Sequence, residues 1–129
     1  MSISFDSALG VHPYALEVRA ERARILAGNL ANVDTPGYLA RDVDYKTILG
    51  CVAQQVAAGE ESQAISQGAM RDDMRHPLYR IPYQVSMDGN TAELGVEQGK
   101  FANNATDFQT SLTFLNMKIT GIAKAIEGR

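Results

Sequence analysis

The residue types that could carry out catalysis or hold a metal are few in this sequence. Asp72, Asp73 and His76 lie within one short polar stretch, and carboxylates beside an imidazole could hold a divalent cation or transfer protons. No further ligands stand at a fixed spacing from them, so we interpret the cluster as the solvated surface of a loop. The sequence therefore predicts no catalytic residues, no metal site and no cofactor.

The other candidate residues stand alone. His12 has no carboxylate or cysteine three or four residues further along, so we interpret it as a residue at the edge of a helix contact. Cys51 is the only cysteine, which excludes an intrachain disulfide, and we expect a packed, unreactive thiol. Asn104 and Thr106 form a glycosylation sequon, but it lies within a helical pattern and is best explained by chance.

Composition indicates one domain of ordinary size. The chain has 129 residues, of which 45% are hydrophobic, and a net charge of −3. Without a basic cluster, nucleic acid is not an expected partner. No segment approaches the ~20 apolar residues of a membrane-spanning helix. The N-terminus lacks a basic region ahead of an apolar core, so we expect no cleaved signal peptide.

The strongest pattern lies near the C-terminus. Eight apolar residues there alternate steps of four and three, which is the spacing of a helix that lies along another helix: Phe101, Ala105, Phe108, Leu112, Leu115, Ile119, Ile122 and Ile126. The pattern predicts a C-terminal helix over residues 91–127.

A weaker stripe predicts an N-terminal helix over residues 7–32. Pro13 is tolerated only in a first turn, so the helix could instead begin at His12. The heptad positions run from Phe5 to Val33 and are interrupted by His12, Arg19 and Ala23. An amphipathic helix is most often part of its own domain's core. Here the strict repeat and the polar middle of the chain favour packing between molecules. We assign the following residues to an assembly seam: Leu9, Leu16, Leu26, Leu30, Phe101, Phe108, Leu112, Leu115, Ile119, Ile122 and Ile126.

A turn is predicted directly after the N-terminal helix. Asn32 can end a helix because Asn tolerates the left-handed conformation, and Pro36-Gly37 suits the central positions of a type II turn. We expect the functional part of this turn to comprise Asn29, Asn32, Thr35, Pro36, Gly37 and Tyr38.

The middle of the chain, residues 33–90, is predicted to be irregular apart from a short helix over 44–58. Residues 60–76 show no period and are expected to form a loop or a disordered stretch, 78–87 alternate loosely and predict an extended edge segment, and 88–90 predict a turn. Residues 91–96 fit either a return strand or the start of the last helix. The expected fold is mainly α: long terminal helices paired as a coiled-coil-like hairpin, in one domain.

Several segments resemble the flagellar axial proteins, which build the rod and hook of the bacterial flagellum. Ala31-Asn-Val-Asp-Thr-Pro-Gly-Tyr38 is similar to the N-terminal signature of that family. Three further segments resemble its proximal-rod member: Ala40-Arg-Asp-Val-Asp-Tyr45, Asp88-Gly-Asn-Thr91 and Phe101-Ala-Asn-Asn104 with Phe108-Gln-Thr-Ser-Leu-Thr-Phe-Leu115. The resemblance covers about residues 9–45 and 88–126. Gly28 departs from the family pattern, as does the weakly acidic Leu94-Gly-Val-Glu97.

The resemblance implies a structural role without catalysis. Such proteins leave the cell through the flagellar type III apparatus without a cleaved signal, assemble through their terminal helices into the periplasmic rod of the basal body, and transmit torque around an export channel. The implied partners are other copies of the chain, other rod proteins, the adaptor protein FliE and the export gate.

Two other functions fit the residues alone. One is a helical adaptor or export chaperone that binds a partner helix along the stripe. The other is a small enzyme that uses His76 or Asp73. Open-ended assembly would distinguish a rod subunit from an adaptor, and substrate turnover lost on mutation of His76 or Asp73 would indicate the enzyme.

Overall fold

The computed structural model describes residues 8–58, 72 and 76–128 of the chain. Its elements, in order, are α1 (His12–Ala31), β1 (Arg41–Asp42), α2 (Tyr45–Ala57), β2 (Leu78–Tyr79) and α3 (Leu94–Glu127). Helices α1 and α3 pack along each other, and the expected mainly α class with paired terminal helices is confirmed. The predicted heptad position Phe5 and most of the predicted loop over 60–76 lie outside the described residues.

Helix α1 begins at His12, with Pro13 in its first turn, where the missing N–H breaks no helical hydrogen bond. It ends at Ala31 with Asn32 as the capping residue. The predicted left-handed conformation of Asn32 is wrong, because its φ is −110°. Its side-chain amide instead donates to the Gly28 carbonyl oxygen at 2.8 Å, and its side-chain oxygen accepts from the Thr35 hydroxyl at 3.1 Å. These bonds end the helix without a positive φ.

The predicted type II turn after α1 is confirmed. Gly37 has a φ of 71°, and the Tyr38 N–H donates to the Thr35 carbonyl oxygen at 3.3 Å. A positive φ at the third position of a type II turn is accessible to glycine at little cost. The Gly37 N–H also donates to the Asp88 carbonyl oxygen at 2.9 Å, so this turn is fixed to the chain that precedes α3.

Helix α2 provides the apolar core. The Asp44 carboxylate caps it by accepting from the Thr47 N–H and hydroxyl, which satisfies a donor that the first turn leaves unpaired. Ile48 and Val52 are buried against Val18 of α1 and against Val43. The chain therefore has a small apolar core on one side of α1, while α3 packs on α1 elsewhere.

The prediction that Cys51 is packed is wrong, since its side chain is exposed. Successive helical residues are turned by about 100°, so the residue before the buried Val52 points away from the α1 contact.

The segment before α3 is extended rather than helical. Helix α3 begins at Leu94, three residues later than the predicted bound, and Glu93 has an extended conformation with φ −109° and ψ 118°. The Thr91 N–H donates to the Tyr38 carbonyl oxygen at 2.9 Å, and the Thr91 hydroxyl accepts from the Ala40 N–H at 2.7 Å. These bonds hold the segment beside the turn, so the helix starts only after it. The alternative of a return strand over 91–96 is wrong.

A two-stranded antiparallel sheet completes the fold. Arg41 pairs with Tyr79 and Asp42 with Leu78, so the extended segment predicted over 78–87 contains a strand of only two residues. The residue after β2 is Arg80, whose guanidinium pairs with Asp42 of β1 and Glu97 of α3.

Gly37→Ala should lower the free energy of unfolding by about 1–2 kcal/mol, because an alanine at φ 71° meets the left-handed penalty of L-residues. Gly50→Ala is the matched control: Gly50 is an exposed interior residue of α2 with open space around it, so this variant should gain about 0.5–1 kcal/mol. Urea unfolding of both variants measures the two values. Equal effects of the two substitutions would contradict the turn geometry.

Candidate functional site

The contact between α1 and α3 is lined by polar residues. Glu97, Asn104 and Ser111 are the buried residues of α3, and they recur at intervals of seven, so they form one line along the helix. Phe108, Leu115 and Ile122 of the predicted seam lie beside this line and are half-buried. The sequence pattern therefore located the contact face to within one heptad position, but its centre is polar rather than apolar.

Asn29 joins three parts of the chain at one end of this contact. Its fully buried side chain donates to the Arg41 carbonyl oxygen at 2.7 Å and to the Glu97 carboxylate at 3.0 Å. Its oxygen accepts from the Arg41 N–H at 3.1 Å and from the Tyr38 hydroxyl at 3.2 Å. All four hydrogen-bonding positions of the amide are thus occupied. The role of Asn29 is to fix β1 and α3 to α1.

A charge cluster surrounds this amide; we define it as Arg22, Asp42, Arg80, Glu97 and Lys100. The Arg22 guanidinium donates two bonds to the Asp42 carboxylate, at 2.9 and 3.1 Å. Arg80 donates to Asp42 at 3.0 Å and to the fully buried Glu97 carboxylate. The Lys100 ammonium lies 3.5 Å from Asp42. Removing one member of the cluster would leave its partners as unpaired buried charges, and burying an unpaired charge is costly.

The pKa of Asp42 reports the balance in this cluster. Burial of the carboxyl raises its pKa, but the hydrogen bonds and charge of Arg22, the Val43 N–H and the charge of Arg80 outweigh it and lower the pKa to about 2. The ionised form is therefore strongly favoured in the folded chain, and the cluster stabilises the fold at neutral pH.

A second polar contact joins the middle of the two long helices. The Arg19 guanidinium lies 2.7 Å from the Asp107 carboxylate, and the Asn104 amide donates to the Arg19 carbonyl oxygen at 2.9 Å. Arg19 interrupted the predicted N-terminal stripe. It lies on the contact face all the same, because its charge is paired across to α3.

The turn after α1 and the segment before α3 form one unit. The Asn90 amide donates to the carbonyl oxygens of Asn32 and Val33, at 3.1 and 2.5 Å, and its side-chain oxygen accepts from the Ala92 N–H. With the bonds of Gly37 and Thr91, these contacts bring together residues 31–38 and 88–91, two of the segments that resembled the axial proteins. The buried roles of Asn90, Glu97 and Arg80 had no signal in the apolar pattern.

Four residues of the predicted seam are exposed, and the exposed Leu94 lies on the same side of α3. We call the following residues the outward flank of α3, with exposed fractions of 38–76%: Leu94, Phe101, Leu112, Ile119 and Ile126. In the N-terminal part of the seam, Leu9, Leu16 and Leu30 are half-buried and Leu26 is fully buried. Leu26 is therefore a core residue of this chain, while the assignment of the flank to an intermolecular contact stays a prediction.

The remaining candidates for chemistry do not converge. Asp72 and His76 are exposed. The His76 backbone N–H and imidazole both contact the Asp72 carbonyl oxygen, at 3.2 and 3.0 Å, and the imidazole lies 3.7 Å from the Asp72 carboxylate. Asp73 lies outside the described residues. Within the described part of the chain, no three His, Cys, Asp or Glu side chains are placed to hold a metal ion, and no helix there is long and apolar enough to cross a bilayer.

Comparison with known proteins decides the family. No family model matches the chain. The flagellar basal body rod protein FlgB of Aeromonas hydrophila is 42% identical over 99% of this chain and 98% of its own length. The FlgB proteins of Salmonella typhimurium and Escherichia coli are 38% and 37% identical, each over 95% of this chain and 95% and 94% of their own lengths. The chain belongs to the FlgB family of flagellar basal body rod proteins.

The similarity to FlgB extends beyond the segments that first suggested it. It covers nearly the whole chain, including the middle between residues 45 and 88. Two of the segments that first suggested the family have a clear structural role: residues 31–38 contain the turn after α1, and residues 40–45 supply Asp42 of the charge cluster.

Asn29→Asp should lower the free energy of unfolding by about 3 kcal/mol or more, because a second buried carboxylate would face Glu97 and the Arg41 carbonyl oxygen without a donor. Asn103→Asp makes the same change at an exposed site of α3, and it should alter stability by less than about 0.5 kcal/mol. Chemical denaturation near pH 7 compares the two. A similar small loss for both would show that Asn29 is not the junction described here.

Asp42 should make stability depend on pH in acid. Its folded pKa, about 2, is lower than its ordinary value of 3.8, so its contribution is complete above about pH 5 and is lost as the pH falls toward 2. The difference in unfolding free energy between the parent chain and Asp42→Asn should shrink by about 2 kcal/mol between pH 6 and pH 2. A difference that is independent of pH would contradict the ion pairing of Asp42.

Proposed function

We propose that this chain is a structural subunit of the proximal rod of the flagellar basal body. In this proposal it self-assembles through its terminal helices, transmits torque, lines the export channel and has no catalytic activity. Membership of the FlgB family supports the rod assignment. The observation that carries the assembly role is the outward flank of α3, an apolar strip on a long helix whose inner face is already satisfied by polar contacts within the chain.

The exposure of this flank favours assembly over a free monomer. Soluble monomers rarely expose long contiguous apolar strips, and Leu112 and Ile119 are each 40–49% exposed on the same side of α3. Residues seven apart recur on one side of a helix, so a neighbouring helix could cover the whole strip at once. Open-ended assembly follows when such a contact joins different surfaces of successive subunits and does not close.

The side of α3 that faces away from α1 supports a role in the channel wall. A helical period of 3.6 residues places an uncharged strip there: Gln98, Ala102, Thr106, Gln109, Thr113, Asn116 and Thr120. The side chains of this strip are exposed, and the hydroxyls of Thr106 and Thr113 donate to carbonyl oxygens one turn earlier. A polar surface without charge would bind exported polypeptides neither through apolar contacts nor through ion pairs.

The proposed partners and location follow from the same assignment. We expect contacts with other copies, with other rod proteins, with the adaptor protein FliE and with the export gate, in the periplasmic part of the basal body. We further propose export through the flagellar type III apparatus without a cleaved signal.

A helical adaptor or export chaperone is the second candidate, since the outward flank of α3 could also bind one partner helix. It would give a small complex of fixed size rather than an extended assembly.

Leu112→Asp should abolish rod assembly and motility while the subunit still folds and is exported. Leu112 is 40% exposed in the free chain, so the charge is tolerated there, whereas burial under a neighbour would cost several kcal/mol. Complementation of a strain that lacks its own subunit, followed by isolation of basal bodies, measures this.

Asn103→Asp is the matched control, because it adds one carboxylate to an exposed site of α3 that lies outside both the outward flank and the uncharged strip. It should leave the number of rods within about twofold of the parent, since an exposed substitution has little effect. Circular dichroism of both purified variants confirms folding. Normal rods from Leu112→Asp would refute the assembly role of the flank, and a stable small complex with one flagellar protein would favour the adaptor.

A further inference from the structure

An exposed apolar ridge lies just before α3. Between Ile81 and Met87, the apolar side chains of Ile81, Tyr83, Val85 and Met87 have exposed fractions of 86–107%. No residue from Ile81 to Met87 is charged. We call these four residues the ridge. The ridge is held in place, because the Gln84 N–H donates to the Glu93 carboxylate at 2.9 Å and the Gly37 N–H to the Asp88 carbonyl oxygen at 2.9 Å.

A groove lies near the other end of the long helices. It has a volume of ≈ 480 Å³, and its lining includes His12 of α1 and Phe114, Met117, Lys118 and Ile122 of α3. Phe114 and Met117 are 50% and 64% exposed, and the His12 ring lies 6.2 Å from the Phe114 ring. The groove thus has apolar walls and a cationic side chain at its edge.

The ridge cannot reach the groove of its own chain. At a rise of about 1.5 Å per residue, Lys118 lies about 37 Å along α3 from Glu93, to which the ridge is bonded. Any contact between the two surfaces must therefore join two molecules.

Charge complementarity favours the same pairing. The ridge end of the molecule carries the exposed or half-buried carboxylates of Asp34, Asp88 and Glu93, whereas the groove carries the ammonium of Lys118. An apolar ridge bordered by carboxylates matches an apolar groove bordered by a cation, and such complementarity fixes the register of a contact.

We propose that the ridge of one subunit docks into the groove of a second copy of this chain. The inference rests on the proposed assembly role and adds a second contact to it, distinct from the outward flank of α3. Because ridge and groove lie at opposite ends of the molecule, the contact is heterologous and leaves a free ridge and a free groove on each pair. It therefore propagates rather than closes into a dimer.

Disulfide cross-linking tests the docking directly. Two variants, Met87→Cys and Met117→Cys, each with Cys51→Ser and a different epitope tag, are co-expressed in a strain that lacks its own subunit, and isolated basal bodies are oxidised. A disulfide requires Cα atoms within about 7 Å, so the mixed pair should give at least about tenfold more cross-linked dimer than either variant alone. Met87→Cys with Ala102→Cys is the matched control and should not cross-link, because Ala102 is exposed on the uncharged strip and lies about 22 Å from Met117 along α3.

Charge reversal provides a second measurement that does not depend on cysteine. Lys118→Glu should reduce the number of rods at least about threefold by placing like charges together, and Met87→Lys in the same chain should restore it. Rods of normal yield that show neither the mixed disulfide nor this pattern would overturn the docking while leaving the rod assignment intact. Cross-linking of Met87→Cys only to a different rod protein would overturn the choice of a second copy.

Discussion

The buried contact of Asn29 with Glu97 is the interaction on which the rest of the fold depends. It connects the end of α1 to the first turns of α3, and the same Glu97 carboxylate also pairs with Arg80. Arg80 in turn shares Asp42 with Arg22, so the sheet, both long helices and the middle of the chain meet at one polar site. Each buried charge is tolerated because another is present.

This arrangement explains how a long apolar stripe remains partly exposed on α3. In an ordinary helical hairpin the apolar stripe is buried between the two helices of the same chain. Here buried Glu97, Asn104 and Ser111 occupy the centre of that contact, and the stripe is displaced to its side. Leu112 and Ile119 are left partly exposed. The chain thus holds its own helices together by directional polar bonds and leaves apolar area exposed, which the proposed assembly would cover.

The sequence was sufficient for the features that depend on local periodicity. The two long helices followed from apolar spacing, and the Pro36-Gly37 turn followed from the backbone limits of those residues. It was not sufficient for Glu97 or Arg80, because a buried ion pair leaves no periodic trace and each residue alone suggests a solvated surface. The left-handed conformation predicted for Asn32 was wrong for a related reason: its side chain makes the hydrogen bonds that end the helix, so its backbone does not need a positive φ.

A map of the assembled basal body that resolves side chains is the most direct test of this account. The prediction is that Leu112 and Ile119 are covered by a neighbouring subunit while Asn29 and Glu97 keep their contact within the chain. A map in which these two apolar residues face water, or in which α1 and α3 of one chain have separated to pair with other molecules, would contradict it.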